Sequence, residues 1–271
     1  MRQEGGLFRD DAACDPGGMD KVWRDYDQAG LDAAYDQRVW APDMAAWLAR
    51  YRADTAAARA ALKPQALSYG PHGCDLYPAQ GAPRGVHLHI HGGAWRAQGR
   101  DDSGFLAPAF CAAGFQVAVP DFSLLPARRL PDVVAELRAC VAWLRPRGPI
   151  HLSGHSSGAH LAAVLATEMA FASVTLVSGV YDMEPVLLSA RRLYVELTAA
   201  EAVALSPIRH AARIHAPLRL AWGTDESPEF IRQSEAMAAA TGAETFVLPG
   251  QNHFGAAYAP AQGALHAALT A

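Results

Sequence analysis

The sequence predicts an α/β fold built on a mostly parallel sheet with helices on both faces, and three observations carry that expectation. From residue 86 onward, short apolar runs rich in Val, Ile and Leu alternate with helical stretches of about 10–15 residues, the pattern of strands linked by crossover helices. The 271 residues are 51% hydrophobic and 18% charged, enough for one large core and too apolar for a disordered chain. Glycine-rich turns follow several predicted strands, where sheets of this kind gather their reactive groups.

Residues 19–37 and 42–62 are expected as two helices, the second opened by Pro42 and Asp43 and closed before Pro64. Residues 1–65 thus read as an N-terminal helical lead-in packed on a main domain of residues 66–271. From residue 66 the period becomes that of strands. Segments 66–69 and 74–77 are joined by the turn Gly70-Pro71-His72-Gly73, and 86–90 is a third strand. A helix over 102–113 leads to a strand over 115–119. The next helix carries Val133, Val134, Leu137, Cys140, Val141 and Leu144 on one stripe and precedes a strand over 149–152. A helix over 157–169 and the sixth strand, 172–177, come next. A helical insertion over 183–212 then forms a candidate small cap. Strand 218–222, helix 229–240, strand 244–248 and a helix ending near residue 271 complete the pattern.

Composition restricts the partners. With 23 basic against 27 acidic residues the net charge is −4, without the positive field that nucleic acid or an anionic membrane requires. The longest uncharged stretch, 148–167, carries Ser153, Ser156, Ser157 and two histidines in its middle and is not expected to span a bilayer. Residues 1–18 mix charges with glycines and lack an apolar leader core, so a cytoplasmic location is expected. Cys14, Cys74, Cys111 and Cys140 are scattered and read as free thiols. The expected partner is a small-molecule substrate, and a homodimer is compatible with the sequence.

The strand over 149–152 runs into Gly154-His155-Ser156-Ser157-Gly158 and then into a helix. This is GxSxG in the strand, sharp turn and helix context of a nucleophile elbow. Glycines at both flanks let the backbone crowd the turn, and the Ser157 N–H at the helix start suits an oxyanion. A serine hydroxyl is weakly nucleophilic, so a base and an orienting acid are required. His253, after the last strand, holds the late position that the chain order of serine, acid and histidine needs. His155 and His160 flank the nucleophile on its own turn and helix, while His210, His215 and His266 fall in or beside helices. The acid is sought after strand 218–222, where Asp225 and Glu226 compete. Asp225 is the shorter and commoner type; Glu226 holds the third position after Gly223 and leaves Asp225 to cap the turn. Asp182 is an outside candidate, with helix capping as its plainer role.

His91-Gly92-Gly93-Ala94-Trp95 follows strand 86–90 and matches the loop type whose backbone N–H groups complete an oxyanion hole. Gly92, Gly93, Ala94 and Ser157 are the candidate donors. His87, His89 and His91 alternate along one strand face and invite a metal reading, but no second ligand cluster or HExxH accompanies them. No metal and no cofactor are expected, and His91 reads as an anchor for the oxyanion loop.

At these residues the chain resembles the α/β-hydrolase superfamily, and within it the arylformamidase type of serine hydrolase. The resemblance covers nearly everything after about residue 30. It rests on Leu31-Asp32-Ala33-Ala34-Tyr35-Asp36, on the loop from His91 to Arg96, on the elbow continued through His160-Leu161, on Glu226-Ser227-Pro228-Glu229-Phe230, and on Asn252-His253-Phe254. It implies Glu226 as the acid, because that family places its acid directly before the Ser-Pro-Glu-Phe segment. It also implies hydrolysis of an N-formyl aryl amide such as N-formylkynurenine, with a carboxylesterase of short acyl or aryl esters as the alternative. Ala94 and Asp121-Phe122-Ser123 depart from the family pattern and are expected to alter the pocket. A ligand-binding receptor on the same scaffold would lack a triad member, and here every position is filled. Trp95 and Arg96, beside the oxyanion loop, are the expected substrate contacts, Arg96 being the nearest cation by sequence for a substrate carboxylate.

Overall fold

Alternation along the strands sets the two faces of the sheet. In β3 (Val86–Ile90), Val86, Leu88 and Ile90 enter one apolar cluster, while His87 and His89 turn to the other face, where His87 stacks on Phe110 at 3.6 Å. In β4 (Gln116–Pro120), Ala118 joins the first cluster, and Val117 and Val119 join the second. Burial on both faces is what a central parallel strand requires.

A computed structural model describes residues 20–271. The remaining strands are β1 (Gln65–Tyr69), β2 (His72–Tyr77), β5 (Ile150–His155), β6 (Ser173–Val177), β7 (Leu218–Gly223) and β8 (Glu244–Leu248). The eight form one sheet in the order β1-β2-β4-β3-β5-β6-β7-β8, antiparallel through β1, β2 and β4 and parallel from there on. The main helices are α4 (Ala107–Ala112), α5 (Leu130–Leu144), α6 (Ser157–Glu168), α9 (Pro228–Thr241) and α10 (Gly263–Thr270). This is the expected α/β-hydrolase fold, with a helical lead-in before the sheet and a helical insertion after β6.

The lead-in is more broken than its periodicity suggests. The helix expected over 19–37 begins outside the described residues at Met19, and residues 20–27 are not helical; Trp23 and Tyr26 form an isolated bridge. α1 (Gln28–Tyr35) starts only where Asp27 accepts the Gly30 N–H at 2.7 Å. Asp36 then ends it, and by accepting from the Arg38 N–H at 3.1 Å opens the short α2 (Gln37–Trp40). Aspartate competes for backbone N–H groups and so divides a helix that apolar spacing alone would continue. α3 (Met44–Leu62) follows as expected.

Other corrections have similar causes. The turn between β1 and β2 is only Gly70 and Pro71, since His72 and Gly73 pair within β2. The helix expected over 102–113 is two 3-10 turns followed by α4, with Asp102 accepting the Gly99 N–H at 3.1 Å. Gly104 there lies so close to Tyr77 that a Cβ would stand 2.1 Å from the phenol oxygen. The insertion is split into α7 (Met183–Leu188), a 3-10 turn over Ala190–Leu193, α8 (Ala199–Ala204) and a 3-10 stretch over Pro207–Arg213. Asp182, Ser189 and Thr198 each accept an N–H at the start of the first three pieces. Cys74, Cys111 and Cys140 are buried free thiols, and Cys14 lies outside the described residues. Among the described residues no helix is long and apolar enough to cross a membrane.

Candidate active site

β5 ends at His155, α6 begins at Ser157, and Ser156 between them has φ 56° and ψ −122°. Left-handed φ at a residue with a side chain is strained and persists only where its surroundings enforce it. Here they do. The Ser156 N–H donates to the Val177 carbonyl at 2.8 Å. A Cβ on Gly158 would fall 2.1 Å from the Ile90 carbonyl oxygen, and one on Gly154 would fall 2.3 Å from that of Gly158. The two glycines therefore let α6 and the elbow close onto β3.

Three of the expected residues meet at this turn. His253 Nε2 lies 2.9 Å from Ser156 Oγ, and His253 Nδ1 lies 2.7 Å from Glu226 Oε2. With its proton on Nδ1 facing the carboxylate, the ring presents Nε2 as an acceptor to the serine hydroxyl. Glu226 Oε1 accepts from Ser178 Oγ at 2.5 Å and from the Gly223 N–H at 2.7 Å, so both carboxylate oxygens are engaged. Asp225 is exposed and bonds Thr224 Oγ1, turned away from His253. Asp182 caps α7 instead of approaching the site. Sequence reasoning missed Ser178; its signal was a lone serine at the end of the apolar run Val174-Thr175-Leu176-Val177.

The loops that bear these groups are braced from outside the sheet. Ser227 Oγ donates to the Ala34 carbonyl of α1 at 2.6 Å, and Asn252 Nδ2 donates to Asp43 Oδ1, just before α3, at 3.0 Å. Gly223 lets the acid loop touch the histidine loop, since a Cβ there would stand 1.9 Å from the Gln251 carbonyl oxygen. His155 Nε2 donates to the His253 carbonyl at 2.8 Å, and burial holds its pKa well below the ordinary value, so it sits uncharged beside His253.

The loop after β3 turns through three left-handed residues, Gly93 (φ 97°), Ala94 (φ 53°) and Trp95 (φ 61°). Arg96 and Ala97 donate back to the Gly93 carbonyl and Trp95 donates to Ser157 Oγ, while the N–H groups of Gly92, Gly93, Ala94 and Ser157 have no protein partner among the described residues. His91 anchors the loop by its Nδ1 bond to the Gly92 carbonyl and by stacking on Phe122 at 4.2 Å. Trp95 corrects an expectation. The backbone twist drives it into the core, fully buried, where its indole N–H meets His160 Nδ1 at 3.2 Å, and it takes no part in the cavity wall. His160 passes that contact on to the Leu205 carbonyl at 2.8 Å. His87 and His89 both bond Ser153 Oγ.

Ser156 and His253 open into a cavity of about 780 Å³. Its floor includes Gly93, Ala94 and His155; its walls come from α1, α2, the start of α3 and residues 190–194. Ala94 thus shapes the pocket, while Asp121, Phe122 and Ser123 lie outside its lining. Arg96 lines it as an exposed side chain whose guanidinium stacks over Tyr194 at 4.4 Å.

Comparison with known proteins points the same way. The BD-FAE family model matches residues 74–179. Kynurenine formamidase of Danio rerio is 29% identical over 244 residues, spanning 79% of this chain and 83% of that protein. A candidate thioesterase from Silicibacter sp. TM1040 superposes with a TM-score of 0.82 at 27% identity, over 89% of this chain and 99% of that one. An esterase of Pyrobaculum calidifontis gives 0.65 at 16% identity, over 82% and 89%. The chain has the α/β-hydrolase superfamily fold in the form taken by esterases and thioesterases.

Proposed function

We propose that the protein is a serine hydrolase that removes the formyl group from an aryl amide, with N-formylkynurenine as substrate and kynurenine and formate as products. The observation that carries this reading is the relay from Ser156 through His253 to Glu226, at 2.9 and 2.7 Å, opening onto the cavity. Ser156 Oγ attacks the formyl carbon while its proton passes to His253 Nε2, and Glu226 stabilises the imidazolium. The oxyanion is met by the N–H groups of Ser157, Gly93 and Ala94, with Gly92 keeping the loop open, each donor being worth about 3 kcal/mol in the transition state. Collapse expels the aniline nitrogen with the proton from His253 and leaves a formyl ester on Ser156. Water then gives its proton to the same histidine and attacks that ester, releasing formate and restoring the serine hydroxyl. The aniline is a weakly basic leaving group, so esterase-like machinery suffices. In this reading residues 183–212 act as a small cap over the cavity, joined to the lead-in where the Ala190 N–H donates to Asp32.

The likeness to a formamidase supports the substrate, and the esterase fold supports a second reading, hydrolysis of short acyl or aryl esters. Purified enzyme assayed on N-formylkynurenine and on p-nitrophenyl esters of rising acyl length separates them. The formamidase reading expects kcat/KM on N-formylkynurenine at least about tenfold above any ester, with ester rates falling steeply beyond formyl and acetyl. Ester rates that rise with chain length would establish the alternative.

A further inference from the structure

Two of the four arginines in the cavity wall lack an ion-pair partner. Arg38 bonds Asp36 at 2.7 Å and Arg52 bonds Asp102 at 2.6 Å. Asp32 accepts from Gln28 Nε2 and from the Ala190 N–H. Arg96 and Arg191 face no carboxylate within ion-pair distance among the described residues, and they differ sharply in burial. Arg96 is exposed, whereas Arg191 is 7% exposed, the one arginine of the buried set. Among the partly buried arginines Arg59 and Arg100 share Asp75 and Arg232 takes Glu229 at 2.6 Å, while Arg147 rests on Trp143 and donates to its carbonyl.

Arg191 is instead held by Nη2 on the Tyr35 carbonyl at 3.0 Å and by the rings of Tyr35, Trp95 and Phe230, 5.1–5.6 Å from its guanidinium carbon. Its Nη1 is buried with no hydrogen-bond partner. Removing a guanidinium from water without a counter-charge is costly, and an unmatched donor adds to that cost. A purely structural arginine would be expected to have its fork filled by the protein. Nearby aromatic rings and a donor without a protein partner leave the cation prepared for a planar anion.

We propose that Arg191 is the specificity-determining residue of the cavity and that the substrate carries a carboxylate which this guanidinium receives. The inference rests on the hydrolase reading above and narrows it to anionic substrates, with Arg191 and not the exposed Arg96 as the selecting group. Nη1 is covered as the side chains stand, so an anion reaches it by displacing its neighbours.

The test measures binding, so it does not depend on turnover. β-Benzoylpropionate and its primary amide, which differ in charge at nearly constant shape, are titrated calorimetrically into the wild-type protein and into Arg191→Gln and Arg96→Gln. The wild type is expected to bind the carboxylate about 10–100-fold more tightly than the amide. Arg191→Gln should abolish that preference by weakening the carboxylate alone, and Arg96→Gln should retain it. Equal affinity of the wild type for both ligands would overturn the assignment, as would a preference abolished by Arg96→Gln. Should Arg191→Gln fail to fold, the wild-type ratio and its persistence in Arg96→Gln decide the matter, because these are the two unpaired cations of the wall. An intact preference without formamide turnover would overturn the proposed reaction and leave Arg191 in place. Formamide turnover without the preference would do the reverse.

Discussion

The floor and the walls of the cavity are built on different physical terms. Ser156, His253, Glu226 and Ser178 are each at most 4% exposed, and their loops close on one another through glycines with no room for a side chain. The walls hold Val39 and Leu193 at 56% and 82% exposure and Arg38 and Arg52 in ion pairs with one side chain in solvent. Buried, mutually constrained groups keep one geometry, while exposed ion pairs contribute about 1 kcal/mol or less and permit several. The floor is thus suited to fixing a reaction, and the walls to admitting and selecting what reacts.

The strongest way to break this division is to remove the proposed nucleophile. Ser156→Ala should lower kcat by at least about 10⁴-fold with the fold intact, because a strained elbow side chain contributes little to the core. Circular dichroism and steady-state rates check both halves, and retention of more than about a hundredth of the wild-type rate would refute the role assigned to Ser156. A fluorophosphonate should label Ser156 alone, read by peptide mass spectrometry.

Next comes the pair of neighbouring acids. Glu226→Gln should cost about 10³–10⁴ in kcat, since the amide can no longer hold the proton-bearing Nδ1 of His253 as an anion does. Asp225→Asn should stay within about threefold of wild type, because that exposed carboxylate bonds only Thr224 in its own turn. Reversal of the two effects would move the acid to Asp225.

Much of the floor was legible because its signals are local. Ser156 is announced by glycines two residues to either side, and the loop after β3 by Gly92 and Gly93 after an apolar run. The choice between Asp225 and Glu226 is less local. It depends on the direction a side chain takes after Gly223, which spacing suggests and only the packed turn determines. Ser178 and Arg191 were not legible, since each is defined by residues far along the chain, Glu226 for one and Tyr35, Trp95 and Phe230 for the other. Trp95 was misplaced for a related reason: adjacency to the oxyanion loop suggested the pocket, and left-handed backbone at Ala94 and Trp95 sends the ring the other way. The periodicity over 19–37 also hid Asp27 and Asp36, whose carboxylates bind N–H groups that a continuous helix would have used.

Acid should act on the core beneath the floor, through stability. Burial lowers the pKa of His89 to about 3 and of His160 to about 4, against an ordinary 6.5. As pH falls below 6.5 the unfolded chain takes up protons that the folded one refuses. The stabilising contribution is therefore complete above that value, declines on acidification and levels off only below the folded pKa values. These two histidines together should remove about 3–4 kcal/mol between pH 7 and pH 5. Urea midpoints across that range check it, and a flat profile would mean that the imidazoles are not held neutral in the core.

The smallest effect is expected at the rim. Leu193 is 82% exposed and lines the cavity beside Tyr194, with no part in the relay. Leu193→Ser should raise KM for an aryl ester by about two- to threefold, change kcat less than that, and leave stability within about 0.5 kcal/mol of wild type. Such a split is what a wall residue should give: it loosens the bound substrate equally in the ground and transition states and leaves the barrier between them unchanged. A fall in kcat larger than the rise in KM would show that residues 190–194 help set the geometry of the floor, and the division between the two regions would have to be redrawn through that segment.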